Sequence, residues 1–121
     1  MNAVAEKSST GLDANLAGLL AYVAGFITGI VFLVVEKDSK FVRFHAMQSV
    51  MTFLGLFIIN IVVSLVLGNI PFIGLMVLFI SPLLMLLGLV LWVILMLKAY
   101  QGEWFKLPVV GDMAMKQVGG I

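Results

Sequence analysis

His45 and Ser49 are the side chains whose types and spacing come nearest to a catalytic pair in this sequence. They lie four residues apart, so a helix would place them on one face, where the imidazole can accept the serine proton. Such a pair also needs an acid to orient the histidine and donors for an oxyanion. The apolar stretches contain no acid, and no Gly-x-Ser-x-Gly motif occurs. We therefore expect His45 and Ser49 to form buried structural hydrogen bonds, and we expect no catalytic residues and no enzymatic activity.

Metal and cofactor sites are not predicted either. The chain has one histidine, no cysteine and no cluster of His, Asp or Glu at metal-ligand spacing, and it lacks a phosphate-binding loop. Its net charge of +1 gives no general attraction to nucleic acid. The sequence therefore predicts no cofactor, no metal and no nucleic-acid partner.

A polar helical face starts at His45. Four residues fall within about a third of the helix circumference: His45, Gln48, Ser49 and Thr52. Asn60 is a further polar residue deeper in the same predicted span. Polar groups cost free energy in hydrocarbon, so these five residues are predicted to be buried against other helices or to face water. His45 could also titrate near neutral pH, but a structural hydrogen bond is the favoured interpretation.

Cationic and aromatic residues flank the apolar stretches. Cationic and aromatic side chains suit the headgroup layer of a membrane, and we expect this set to contact lipid, including anionic headgroups, or a partner protein: Lys37, Lys40, Arg43, Trp104 and Lys106. Arg43 and His45 are two residues apart and point away from each other on a helix. The spacing predicts that Arg43 reaches lipid phosphate or a partner, while His45 turns toward a neighbouring helix.

The composition indicates a membrane protein of one domain. Of 121 residues, 63% are hydrophobic and 11% are charged, far from the soluble average of about 25% charged. The sequence predicts an all-α bundle of three transmembrane helices at about residues 16–35, 47–67 and 71–98, with polar tails at 1–11 and 101–121. The second helix is predicted to begin at the membrane surface, near Phe41.

Pro82 leaves two interpretations of the third span. Residues 71–98 would form a straight helix of about 40 Å, longer than a hydrocarbon core of about 30 Å. A helix kinked at Pro82 is favoured, because proline lacks an N–H and crowds the preceding turn. The alternative is a short re-entrant piece before Ser81 and a separate span after it.

Small residues recur every four positions in the first predicted span, at Ala17, Ala21, Gly25 and Gly29. On one helix they would form a ridge that lets another backbone approach closely, which drives helix association in lipid. The ridge predicts a packing surface for another helix of this chain or of a second copy.

The segment of residues 36–49, EKDSKFVRFHAMQS, resembles the signature of a family of small, uncharacterised prokaryotic membrane proteins. That family is distantly similar to the Tic-type component of the chloroplast inner-envelope protein-import machinery. The resemblance extends from about Leu16 through YQGE at residues 100–103 and KLPVVGD at residues 106–112. It implies an integral membrane protein whose short charged loop precedes a second helix.

The leading functional expectation is a non-enzymatic scaffold or component of a membrane transport or translocation assembly, in contact with the bilayer and with other membrane proteins or further copies of itself. The alternative is a small oligomeric channel or transporter whose polar path follows helix two. Six basic residues lie in the loop after the first span and in the C-terminal flank, and Lys7 alone lies on the other side. This bias predicts a multi-pass cell-membrane protein with its N-terminus outside and its C-terminus in the cytoplasm.

Overall fold

The computed structural model describes residues 8–119, and its regular elements in that range are all helices. They are, in chain order, α1 (Ala14–Val23), α2 (Phe26–Val35), α3 (Lys40–Ser49), a π-helix (Val50–Leu54), α4 (Gly55–Leu67), a 3-10 helix (Ile73–Met76), α5 (Val77–Tyr100) and α6 (Val110–Gly119). The predicted all-α class is confirmed. The predicted number of three spans is not.

Two helices are long and apolar enough to cross a membrane. One runs without interruption through α3, the π-helix and α4, and the other joins the 3-10 helix to α5; each has 28 residues. At 1.5 Å per residue each is about 42 Å long, which exceeds a hydrocarbon core. Ser39 begins the first, because its side chain accepts a hydrogen bond from the Val42 amide at 3.2 Å.

Pro82 lies inside α5 and does not end it. The helix continues from Val77 to Tyr100, so a separate re-entrant piece before Ser81 is not formed. The Ser81 hydroxyl donates to Asn60 Oδ1 at 2.9 Å and so links α5 to α4 beside the proline.

The first predicted span is wrong as a single helix. Residues 16–35 belong to two ten-residue helices, α1 and α2, which are separated at Ala24 and Gly25. Gly25 has a φ of 61°, a conformation that glycine adopts without the steric cost other residues meet. Each helix is about 15 Å long, half of what a span requires.

The residues before α1 contact the residues after α2, so the two helices form a hairpin, which we call the α1–α2 hairpin. Ser9, before α1, donates to Glu36 Oε2 through its amide and its hydroxyl, both at 2.8 Å, and Glu36 follows α2. Asn15 in α1 donates to the Tyr100 carbonyl at 3.0 Å. The described N-terminal residues therefore lie at the same end of the molecule as the loop after α2 and the end of α5. The predicted placement of the N-terminus and this loop on opposite sides of a membrane stays a prediction, and the contact between Ser9 and Glu36 does not favour it.

The small residues of the predicted ridge pack inside the chain, although not along one helix. Ala17 and Ala21 are fully buried in a cluster with Phe32, Phe41, Val42 and other residues. A Cβ added to Gly29 would lie 2.9 Å from the Ala46 carbonyl oxygen, so α2 and α3 are in backbone contact there. Gly25 is the turn between α1 and α2 and is not part of a helical ridge.

The C-terminal segment 101–121 is not simply a polar tail, since α6 occupies part of it. Ala114 and Val118 of α6 are buried against Phe44 of α3. These two residues lie four apart, on one face of a helix, which accounts for the packing.

Burial divides the molecule into two parts. We call the packed part the base; it comprises α1, α3, α6 and the ends of α2 and α5 that contact them, and it contains the three apolar clusters. We call α4 together with residues 77–94 of α5 the arm. The arm has no buried residue in this chain and exposes apolar side chains on most of its surface.

Candidate functional site

Tyr22, His45 and Gln48 form a fully buried hydrogen-bond network at the centre of the base. The Tyr22 hydroxyl lies 2.7 Å from His45 Nδ1, and Gln48 Nε2 donates to the same hydroxyl at 3.0 Å. His45 Nε2 lies 2.9 Å from the Glu103 carbonyl oxygen. The network therefore joins α1, α3 and the segment after α5.

The partners of His45 determine its tautomer. A carbonyl oxygen only accepts hydrogen bonds, so Nε2 carries the proton and donates to Glu103. Nδ1 then accepts from the Tyr22 hydroxyl, and that hydroxyl accepts from Gln48. The neutral imidazole satisfies every one of these bonds.

Gln48 also binds the chain beyond Glu103, through both its amide nitrogen and its amide oxygen. Its Nε2 donates to the Phe105 carbonyl at 2.9 Å, and its Oε1 accepts from the Leu107 amide at 2.9 Å. Phe41, Phe44 and Trp104 pack around this segment, with the Trp104 ring centroid 5.3 Å from that of Phe41. One glutamine side chain thus holds the loop between α5 and α6 against α3.

Side chains also satisfy the backbone groups left free at the break between α1 and α2. Trp92 Nε1 donates to the carbonyls of Tyr22 at 2.8 Å and Val23 at 3.2 Å. Ser49 donates to the Gly25 carbonyl at 2.8 Å, and Thr28 accepts from the Ala24 amide at 3.1 Å. A turn between apolar helices needs such partners wherever water is absent, because free backbone groups are costly there.

Glu36 closes the open end of the α1–α2 hairpin. Its Oε2 accepts from the amides of Ser9, Asp38 and Ser39 and from the Ser9 hydroxyl, at 2.8 to 3.1 Å. Burial of the carboxyl raises its pKa, but the hydrogen bonds from Ser39, Ser9 and Asp38 together hold the pKa of Glu36 below its ordinary value. Glu36 is therefore ionised at neutral pH and stabilises the loop as an anion.

Arg43 has a structural contact that differs from the prediction. Its Nη1 donates to the carbonyls of Leu33 at 3.0 Å and Glu36 at 2.7 Å, at the C-terminal end of α2. A cation is favourable there because the helix dipole is negative at its C-terminus. One guanidinium nitrogen of Arg43 is therefore bonded inside the chain, and the contact of Arg43 with lipid phosphate or a partner stays a prediction.

The other predicted headgroup residues are distributed around the base. Lys37 and Lys40 are exposed, Trp104 is half-buried between aromatic rings, and the Lys106 ammonium lies 3.6 Å from Asp112. Lys98 similarly lies 3.2 Å from Glu103. Exposed pairs of this kind contribute little to stability, so these cations remain available to other anions.

The deeper polar residues on the long helix differ from one another. Thr52, in the π-helix, is 7% exposed and its hydroxyl has no hydrogen-bond partner. Asn60 is half-buried and accepts from Ser81. Each residue lines a separate groove. Thr52 lines a groove of about 310 Å³ together with Leu107, and Asn60 lines a groove of about 420 Å³ together with Gly25.

His45 and Ser49 are hydrogen-bonded to other groups and not to each other. Ser49 is bonded to the Gly25 carbonyl, and both ring nitrogens of His45 are bonded elsewhere. Among residues 8–119, no group of three or more His, Cys, Asp or Glu could hold a metal ion.

Sequence reasoning missed Tyr22, Trp92 and Glu36. The first two lie within apolar runs, although a buried tyrosine hydroxyl or indole N–H usually requires a partner. Glu36 enters the sequence analysis only as part of the charged segment of residues 36–49. An aromatic residue with a polar atom inside an apolar run is a signal that could have identified the first two.

Comparison with known proteins places the chain in a membrane protein family. A UPF0132 membrane protein of Archaeoglobus fulgidus is 49% identical over 107 residues, which cover 88% of this chain and 97% of that protein. A UPF0132 membrane protein of Methanocaldococcus jannaschii is 50% identical over 108 residues, which cover 89% and 91%. A second M. jannaschii protein of that name is 43% identical over 114 residues, which cover 94% and 76%.

No solved structure matches the chain. The comparisons lend no support to the resemblance to the Tic-type import component. The profile of the magnetosome magnetite crystal formation protein family matches residues 7–114. This protein is therefore a membrane protein that belongs to the magnetosome magnetite crystal formation protein family.

Proposed function

We propose that the protein is a non-enzymatic scaffold component of a membrane assembly, in which the base holds the apolar arm across the bilayer. The two 28-residue helices cross the membrane, and the α1–α2 hairpin enters it from one surface and returns to the same surface. The lengths of the helices and the contact between Ser9 and Glu36 support this placement.

The observation that carries the proposal is the internal use of the polar groups on α3. His45, Gln48 and Ser49 are bonded to atoms of the same chain, so they strengthen the base and leave no polar path along it. The arm, in contrast, has no buried residue and is free to contact lipid, other membrane proteins or further copies of the chain. A rigid base with an unpartnered apolar arm suits an assembly component.

The alternative of a channel or transporter has less support. A path along helix two would require Gln48, Thr52 and Asn60 to face a common hydrated space. Gln48 is buried within the network, whereas Thr52 and Asn60 line two different and largely apolar grooves.

The distribution of charge supports an orientation with the base in the cytoplasm. Six of the seven basic residues belong to the described part of the chain, and all six lie in the base or its loops; Lys7 lies outside the described residues. The segment 68–72 between α4 and the 3-10 helix has no charged residue. From the positive-inside bias we propose that both described ends of the chain lie in the cytoplasm.

Single-cysteine labelling tests the placement, because the native chain has no cysteine. We would introduce Thr10→Cys, Asp38→Cys or Asn69→Cys and treat intact cells and opened membranes with a membrane-impermeant maleimide. We expect position 69 to react in intact cells, and positions 10 and 38 to react only after opening. Reaction of positions 10 and 38 from opposite sides would refute the hairpin placement.

A flux assay on protein reconstituted in vesicles separates the two functions. A scaffold should leave potassium and proton leakage at the level of protein-free vesicles. Leakage that rises with the amount of protein would refute the scaffold proposal and support the channel.

A further inference from the structure

The groove beside the π-helix combines an apolar wall with a polar group that has no partner. Thr52 lines this groove, and Gly55, Leu56 and Ile59 follow it at helical spacing of three, four and seven residues on the same face. Leu107 and Pro108 close the side nearest the base. A buried hydroxyl without a partner is costly, so its retention in the groove needs an explanation.

The depth of the groove matches the order of groups in a phospholipid. The bond from the Leu107 amide to Gln48 places Leu107 level with Gln48, and Thr52 lies four residues, about 6 Å, further into the bilayer. Lys106 directly precedes Leu107 in the base, and its ammonium is exposed. From the base inward the order is therefore a cation, a hydroxyl donor and an apolar wall.

We propose that this groove binds one phospholipid with an anionic headgroup. The Lys106 ammonium exchanges Asp112 for the lipid phosphate, Thr52 donates to an oxygen of the glycerol region, and one hydrocarbon chain lies along Gly55 and Ile59. Threonine in a helix adopts two χ1 rotamers, and this binding mode uses the rotamer that turns the hydroxyl into the groove. The π-helix, an element often found at functional sites, sets the position of Thr52.

This inference rests on the proposed membrane placement but makes a separate claim. Failure of the cysteine-labelling experiment would refute the placement, whereas the experiments below measure lipid retention by purified protein in detergent. The two failures are therefore distinguishable.

Filling the groove is the first test. A Cβ added at Gly55 meets no atom within 4 Å, so we expect Gly55→Leu to fold normally and its longer side chain to occupy the space of the hydrocarbon chain. Val62→Phe adds the same number of carbon atoms at an exposed site of α4 and is the control. With phosphatidylglycerol and phosphatidylcholine supplied at equal concentration, native mass spectrometry should show phosphatidylglycerol retention by Gly55→Leu reduced on the order of tenfold, with Val62→Phe unchanged.

The hydroxyl and the ammonium have distinct expected signatures. Thr52→Val should raise the melting temperature in lipid-free detergent, because it removes an unpartnered buried hydroxyl, and should reduce the additional stabilisation given by phosphatidylglycerol. Lys106→Gln should abolish the preference for phosphatidylglycerol over phosphatidylcholine.

Several results would overturn the proposal. Parental retention of phosphatidylglycerol by Gly55→Leu would exclude the groove as the lipid site. Conversion of a dimer to a monomer by Gly55→Leu, with lipid retention unchanged, would show that a second copy occupies the groove. Equal lipid stabilisation of Thr52→Val and the parent would remove the hydroxyl from the site.

Discussion

Tyr22→Phe tests whether the buried network holds the base together. The substitution removes one oxygen, which both donates to His45 Nδ1 at 2.7 Å and accepts from Gln48 Nε2 at 3.0 Å. Both partners are fully buried, so each loses a bond that water cannot replace. At about 1 kcal/mol for each buried group left without its hydrogen bond, we expect a loss of about 2 kcal/mol in the free energy of unfolding.

Tyr100→Phe is the matched control, since it makes the same chemical change at a side chain that is 53% exposed. We would follow the loss of helical circular dichroism while the detergent is titrated from a mild to a denaturing one. Tyr22→Phe should unfold earlier than the parent, and Tyr100→Phe should unfold with it. Equal stability of the two variants would show that the network contributes nothing beyond packing.

Three further predictions use the same unfolding measurement. Gly29→Ala should destabilise the protein by about 1 to 3 kcal/mol, because the new methyl would lie 2.9 Å from the Ala46 carbonyl oxygen. Gly55→Ala is the control and should not destabilise the protein, because its methyl would meet no atom within 4 Å. Similar stability of both variants would refute the close contact of α2 and α3. Ionised Glu36 should favour the folded state above the unfolded glutamate pKa of about 4.3, and this contribution should disappear as the pH falls through its lower folded pKa. Glu36→Gln should therefore be less stable than the parent at pH 7, and a difference that does not shrink on acidification would contradict this assignment. Arg43→Lys should cost about 1 kcal/mol through loss of the bonds to the Leu33 and Glu36 carbonyls, and the exposed Lys40→Gln should be neutral; an unchanged Arg43→Lys would return Arg43 to the role of a headgroup contact.

Composition and hydropathy were sufficient to predict the class of the protein and its two long helices. Neither signal depends on tertiary contacts, since a run of about 20 apolar residues must find a non-aqueous environment. The start of the long helix at Ser39 was also predictable, because serine is a good N-cap. The favoured interpretation, in which the helix continues through Pro82, agrees with α5, whereas the kink at Pro82 stays a prediction.

The polar face of α3 was predictable from spacing, but its partners were not. His45 and Gln48 bond to main-chain atoms of Glu103, Phe105 and Leu107, which lie 57 to 59 residues away. A backbone carbonyl or amide has no sequence signature, since every residue except proline supplies both. Only the tertiary structure shows that the tail returns to this face.

The break between α1 and α2 shows why an apolar run of 20 residues does not determine whether the chain forms one long helix or two short ones. One span of about 30 Å and two half-spans of about 15 Å use the same number of residues and the same composition. What separates them is the cost of a turn in hydrocarbon, where each free backbone group needs a partner. Trp92, Ser49 and Thr28 supply those partners around Gly25, and two of them lie outside the run itself. Loss of the Trp92 bond should therefore favour a straight first helix over the hairpin. Trp92→Phe should make position 10 more accessible from outside the cell in the labelling experiment, and unchanged labelling would show that Ser49 and Thr28 suffice to hold the turn.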